Sequence, residues 1–218
     1  MRLRISEVFV SVQGEGVTAG LPSAFVRLQG CSVGCSWCDT KYSWAQDAGQ
    51  ETTLDQILTA VAEAGVENVV VTCGEPLEHR AFVGLVEALK SRGRRVEVET
   101  AGIILPPAVS VDQWNVSLKL RHSNVATEKR LNPEAINAFR DLGAWFKFVV
   151  VTERDIDKVI QIQTEYRLPS KQILLMPLGM QQGDQLQRMP VVMEWCRRYG
   201  FRYSPRLHIL AWGPKRGV

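Results

Sequence analysis

From residue 24 onward, short apolar runs alternate with stretches whose apolar residues recur at three-and-four spacing. That alternation restricts the chain to the α/β class, with a parallel sheet crossed by right-handed helical connections. Residues 24–29 read as a strand, and residues 53–64 as a helix with Thr53 as N-cap ahead of Leu54, Ile57, Leu58 and Val61. Residues 68–73 form a nearly continuous β-branched run, expected of a buried parallel strand. The pattern continues with helix 80–92, strand 95–99 and strand 114–119. Helix 133–142 follows, with Asn132 as cap and Pro133 at its first position, then strand 145–152. Helix 156–166, strand 172–176, helix 185–199 and a short strand near Phe201 close the series. About six strand–helix units fall short of a closed eight-unit barrel.

With 45% hydrophobic and 22% charged residues, the 218 residues are expected to form a single domain over 1–218 around one substantial core. A formal charge of +3 is too small to imply nucleic acid. The basic cluster Lys90-Ser91-Arg92-Gly93-Arg94-Arg95 reads instead as a solvated helix end with Gly93 at C′. Met1-Arg2-Leu3-Arg4-Ile5 runs directly into patterned sequence without a charged-then-apolar leader, and no apolar run reaches membrane-spanning length. Five cysteines is an odd count, so a disulfide framework is not expected. The expectation is a protein of the reducing cytoplasm.

Chemistry concentrates in Cys31-Ser32-Val33-Gly34-Cys35-Ser36-Trp37-Cys38, where three thiols fall within eight residues directly after a strand. Thiolates select soft metals, and three ligands would leave one iron of a four-iron cluster open to a small molecule. A structural zinc site is the bland alternative, but it needs a fourth ligand, and Cys73, Cys196, His79, His122 and His208 are all distant in sequence. The Cys-x₃-Cys-x₂-Cys spacing, with an aromatic before the last cysteine, resembles the radical S-adenosylmethionine (SAM) superfamily. The resemblance implies a partial (β/α)₆ barrel, and weak helical patterning between residues 98 and 114 and beyond 119 leads one to expect that it is trimmed there. The resemblance also implies a [4Fe-4S] cluster on Cys31, Cys35 and Cys38, and an open iron chelated by SAM, which is split to a 5′-deoxyadenosyl radical.

Val12-Gln13-Gly14-Glu15-Gly16, Phe25-Val26-Arg27-Leu28-Gln29-Gly30-Cys31 and Trp37-Cys38-Asp39-Thr40-Lys41 narrow the resemblance to the 7-carboxy-7-deazaguanine synthase family of queuosine biosynthesis. Thr72-Cys73-Gly74-Glu75-Pro76 and Ser117-Leu118-Lys119 extend it. The family implies conversion of 6-carboxy-5,6,7,8-tetrahydropterin to 7-carboxy-7-deazaguanine with loss of ammonia. It further implies Mg²⁺, a homodimer and an external electron donor such as a flavodoxin. Carry-over places Mg²⁺ on Thr40, although the hard-oxygen preference of the ion nominates Asp39 equally.

In their own terms, Arg27 shares a strand face with Phe25 and Gln29, and its planar fork suits a substrate carboxylate. A buried cation needs a partner, which the substrate would supply. Val12, Gln13 and Gly14 are expected to meet the pterin edge, with Glu15 binding or orienting the loop; Thr72 and His208 are further substrate candidates. For SAM, Gly74 and Glu75 match the superfamily's Gly-Gly-Glu-Pro, with Cys73 replacing its first glycine and expected to be a small buried hydrophobe like Cys196. Ser117, Leu118 and Lys119 suit the ribose and the SAM carboxylate. Trp37, Cys38 and Asp39, together with Met176, Pro177, Leu178 and Gly179, suit the adenine. The segment 212–218 is left open between the site, a second subunit and solvent. Two rival functions remain: a glycyl-radical-enzyme activase, and a non-enzymatic zinc or iron–sulfur module.

Overall fold

The computed structural model describes residues 1–218. Its strands are β1 (Arg2–Val12), β2 (Pro22–Leu28), β3 (Gln50–Thr53), β4 (Asn68–Thr72), β5 (Arg95–Thr100), β6 (Gln113–Leu118), β7 (Trp145–Val150), β8 (Ile173–Pro177) and β9 (Arg202–Tyr203). They make one sheet in the order β3-β1-β2-β4-β5-β6-β7-β8-β9. From β2 onward each neighbour is parallel, while β1 and β3 are antiparallel at one edge. The helices are α1 (Leu54–Glu63), α2 (Phe82–Ser91), α3 (Thr127–Arg130), α4 (Pro133–Asp141), α5 (Glu153–Tyr166), α6 (Gln182–Tyr199) and α7 (Leu207–Trp212). β5 joins β6 without a helix, as the weak patterning there led one to expect. The result is a partial radical-SAM-type barrel, left open between β3 and β9.

Period-two alternation divides the sheet into two unlike faces. Val69, Val71, Val96, Val98, Trp114, Val116, Phe146, Phe148, Ile173 and Leu175 point outward into the main core. There they meet Ile57, Leu85, Leu89, Ile136, Phe139, Ile156 and Val159 of the helices. The inner face carries Arg27, Thr72, Glu99, Ser117 and Lys147, which line a central cavity. The outer layer therefore provides the hydrophobic driving force, and the inner layer is free to be polar.

Local signals set the element ends. Thr53 and Gln56 form a reciprocal capping box at α1, and Asn132 accepts from the Glu134 and Ala135 amides at α4. At the end of α2, Arg94 N–H donates to the Leu89 carbonyl across Gly93, as the C′ reading requires. α5 and α6 begin a turn earlier than their first apolar residues suggest. Asp155 and Asp184 reach back to the amides of Thr152 and Gln181, and so start each helix on polar sequence. β1, β3 and α7 were not read from the sequence. β1 buries Leu3 and Ile5, then shifts register between Ile5 and Glu7, which breaks its alternation.

The end of β4 shapes the site. Cys73 and Gly74 both have left-handed backbone, with φ of 64° and 60°. A side chain at Gly74 would collide with the Gly30 carbonyl, to which the Glu75 amide donates at 3.0 Å. This contact fixes the end of β4 against the start of the cysteine loop. Gly74→Ala should therefore lower stability by about 1–3 kcal/mol from backbone strain alone. Cys73→Gly, which relieves a left-handed non-glycine residue, should stay within about 1 kcal/mol of the parent. Thermal unfolding of the two variants checks both outcomes, and equal melting temperatures would remove the Gly30 contact as the cause.

Candidate active site

A cavity of about 250 Å³ lies at the C-terminal ends of the parallel strands, where barrel enzymes hold their chemistry. Each of the six longer parallel strands or the loop after it contributes to the wall, from Arg27 of β2 through Thr72, Thr100, Ser117 and Lys147 to Met176 of β8.

Cys31, Cys35 and Cys38 all line this cavity on the loop after β2. Backbone bonds from Gly30 to Ser43 (2.8 Å), Cys31 to Trp44 (3.1 Å) and Ser36 to Ser123 (2.9 Å) hold the loop in place. Val33, Cys35, Ala101 and Val125 form a small buried apolar cluster, with Cys31 and Cys38 packed on it. Burial pushes the Cys31 thiol up to about 11 and raises Cys35 as well. No three His, Cys, Asp or Glu side chains converge closely enough to share a single metal ion. A cubane cluster makes no such demand, since each thiolate binds a different iron. Three thiols lining one cavity beside a small apolar cluster fit that group. Cys73 instead donates to Ser43 Oγ at 3.4 Å, and Cys196 sits in the main core.

Of the residues expected around SAM, Trp37, Cys38, Asp39, Gly74, Ser117, Lys119, Met176, Pro177 and Leu178 line the cavity. Lys119 Nζ donates to Ser117 Oγ at 2.8 Å and lies 5.5 Å from the centre of the Trp37 ring, whose buried Nε1 has no protein partner. Leu118, Glu75 and Gly179, also expected around SAM, are not among the residues that line the cavity. Leu118 alternates outward into the core, so its side chain does not reach the cavity. Glu75 is 1% exposed, and its carboxylate accepts from Thr100 Oγ1 (2.6 Å), the Ala101 amide (2.7 Å) and the Leu77 amide (3.2 Å). It ties the end of β4 to the end of β5, and burial raises its pKa. Gly179 lies behind the wall, its carbonyl accepting from Arg206 Nη1 at 2.7 Å and Gln185 Nε2 at 2.8 Å.

At the other end, Val12, Gln13, Gly14, Arg27, Thr72 and His208 all reach the cavity wall. The Gln13 amide is already engaged: Nε2 donates to Glu97 at 2.8 Å and Oε1 accepts from the Glu15 amide at 3.2 Å. Gly14 makes room for a protein group, because a Cβ there would overlap the His208 ring. Burial lowers the His208 pKa, which favours the neutral ring. Arg27 does not wait for substrate. It pairs with Glu7 at 3.2 Å, bonds the Tyr42 hydroxyl and stacks 4.9 Å from the Phe9 ring, although its buried Nε has no partner. The Thr40 hydroxyl lies 3.4 Å from Cys38 Sγ, while the Asp39 carboxylate is taken by Arg206.

The largest omission from the sequence reading is a buried ionic network. Lys147, 5% exposed, bridges Glu15 (2.6 Å) and Glu99 (2.9 Å), and Arg206 takes the other oxygen of Glu15 at 3.0 Å. Burial alone would push the Glu15 carboxyl up, yet Lys147 and Arg206 hold it well below the usual carboxylate range. Lys147 is likewise penalised by burial and raised overall by its two carboxylates. Polar residues at alternate positions of β5, β6 and β7 (Glu97, Glu99, Asn115, Ser117, Lys147) were the available signal. In the tail, Lys215 and Val218 line the cavity, and Arg216 covers the Tyr42 ring and donates to Glu7 at 3.0 Å.

Known proteins agree with this geometry. Residues 25–152 match the radical SAM superfamily. The chain is 40% identical to the 7-carboxy-7-deazaguanine synthase of Pyrobaculum aerophilum, over 99% of this chain and 97% of that one. It is 35% identical to the same-named protein of Hyperthermus butylicus, over 95% and 92%. The crystal structure of QueE from Escherichia coli superposes with a TM-score of 0.72 at 26% identity, covering 94% of this chain and 93% of that one. Such full-length similarity favours the synthase reading over an activase or a passive metal module, and with the cysteine-walled cavity it places the chain in the 7-carboxy-7-deazaguanine synthase family of the radical SAM superfamily.

Proposed function

We propose that the chain, acting as a single radical SAM domain, converts 6-carboxy-5,6,7,8-tetrahydropterin to 7-carboxy-7-deazaguanine and ammonia. When bound, the cluster and SAM supply hydrogen-atom abstraction at C6 of the pterin. The protein's share is placement and exclusion of water. Cys31, Cys35 and Cys38 would hold the cluster, and Ser117 and Lys119 would take the ribose and carboxylate of SAM. Thr40 would offer Mg²⁺ a hard oxygen, a role for which Asp39 is less available because Arg206 already holds it. The remaining parts of the reading are an external one-electron donor such as a flavodoxin, a homodimer and a cytoplasmic location. No helix is long and apolar enough to cross a membrane.

The observation that carries the substrate is Arg27. It is a guanidinium on the cavity wall with an unpartnered buried Nε. A carboxylate on the ligand could share this fork with Glu7 only if it approaches the cavity side. Anaerobic incubation of cluster-reconstituted protein with SAM, dithionite and the carboxypterin should yield the deazaguanine acid by mass spectrometry. Formation of 5′-deoxyadenosine without that acid would sink the substrate assignment.

Changing any one of Cys31, Cys35 and Cys38 to Ala should abolish cluster binding and SAM cleavage, whereas Cys73→Ala and Cys196→Ala should retain both. Full iron and sulfide content in Cys35→Ala would reject the ligand set. Thr40→Ala should diminish magnesium stimulation with the cluster spectrum intact, and an unchanged magnesium response would make Thr40 structural. Arg27→Ala should weaken pterin binding about 30-fold, equivalent to about 2 kcal/mol, with substrate-free SAM cleavage preserved. Arg27→Lys keeps charge but loses the fork, so it should also bind more weakly. Unchanged affinity in titrations of Arg27→Ala would place this residue outside the substrate contacts.

A further inference from the structure

We propose that Arg206 is a positioning residue that clamps the cysteine loop to the substrate loop and so sets the distance between cofactor and substrate. The proposal rests on the function proposed above. Arg206 follows β9, and its side chain is 6% exposed. Its guanidinium binds three loops that are far apart in sequence. Nε donates to Glu15 at 3.0 Å, Nη1 to the Gly179 carbonyl at 2.7 Å, and Nη2 to the Asp39 carboxylate. Those loops follow β1, β8 and β2. The planar guanidinium holds its donors in fixed, divergent directions, whereas a lysine would have to reach all three acceptors from a single nitrogen.

The two carboxylates differ in what else holds them. Glu15 keeps Lys147 on its other oxygen, and its neighbours are tied separately. The Gly16 amide donates to Ser204 Oγ at 2.9 Å, and the Leu207 amide donates to the Gly14 carbonyl at 2.9 Å. Asp39 has no partner besides Arg206, and its side chain is 40% exposed. Loss of the guanidinium should therefore release the Asp39 side of the clamp and leave residues 13–18 in place. Asp39 directly follows Cys38 and precedes Thr40, so the freed segment is the one that bears the cofactor residues. A purely structural arginine would loosen both sides or destabilise the whole fold.

The test uses the full-length chain with Arg206→Gln, Arg206→Lys, Asp39→Asn and the Arg206→Gln/Asp39→Asn pair. In protein without cluster, hydrogen exchange should rise in residues 38–44 and stay at the parent level in residues 13–18. In reconstituted protein, deazaguanine formation should fall by up to about 100-fold and by more than SAM cleavage does, as expected for an ångström-scale misplacement. More 5′-deoxyadenosine should then be released per product. Asp39→Asn should reproduce the loss, and the double variant should be no worse than either single change. Should Arg206→Gln fail to fold, Asp39→Asn tests the same contact from its exposed side. Parallel loss of cleavage and product, multiplying losses in the double variant, or unchanged exchange in residues 38–44 would each overturn the clamp. A parent enzyme that makes no deazaguanine acid would overturn the proposed function instead, and the exchange result would still decide the clamp.

Discussion

The ammonium of Lys147 is the interaction around which the inner face is organised. A cation enclosed by the sheet is tolerated only with close opposite charges, and Glu15 and Glu99 provide them from the β1 loop and from β5. Each of those carboxylates is held in turn, Glu15 by Arg206 and Glu99 by Asn115. The polar lining is thus continuous from β6 to the segment after β9, and every member limits the freedom of the next. The outer face can be a conventional core of Val, Phe, Leu and Ile because the charged groups are confined to the other side.

The cavity that results has two chemically distinct ends. Around the thiols, Val33 and Ala101 line the cavity and are backed by Val125 and Ile103, an apolar surround that suits a redox group needing shelter from water. Opposite lie Arg27, Glu15, Lys147, Arg206 and His208, which suit a small polar molecule with charge and hydrogen-bonding edges. The ends of β4 and β5 are tied together by Glu75, whose carboxylate accepts from Thr100 and the Ala101 amide.

Much of the barrel was legible because β-branched runs and amphipathic helices are local signals. Residues 68–73 and 133–142 illustrate both, and each element lies within two residues of its expected bounds. The cysteine loop was equally plain, since spacing alone limits what three thiols can hold. What escaped notice depends on partners remote in sequence. Lys147 sits in Trp145-Phe146-Lys147-Phe148, an apolar run in which one cation carries no hint of Glu15, 132 residues earlier. Gln13 and Glu75 were read as ligand contacts because their side chains are suitable, but suitability does not show which protein atoms reach them first. β1 was missed because its register shift interrupts the alternation by which a half-buried strand is recognised.

The pairing of Glu15 with Arg206 joins positions 191 residues apart. During synthesis the Gln13-Gly14-Glu15-Gly16 loop is made well before Ser204, Arg206, Leu207 and His208, on which its fixed shape waits. The cysteine loop, by contrast, finds its Ser43 and Trp44 backbone anchors almost at once. A ribosome-bound chain therefore presents thiols well before the substrate end exists. Closure of so long a loop necessarily comes late, so the thiol loop is anchored while the polar end of the cavity is still unfinished.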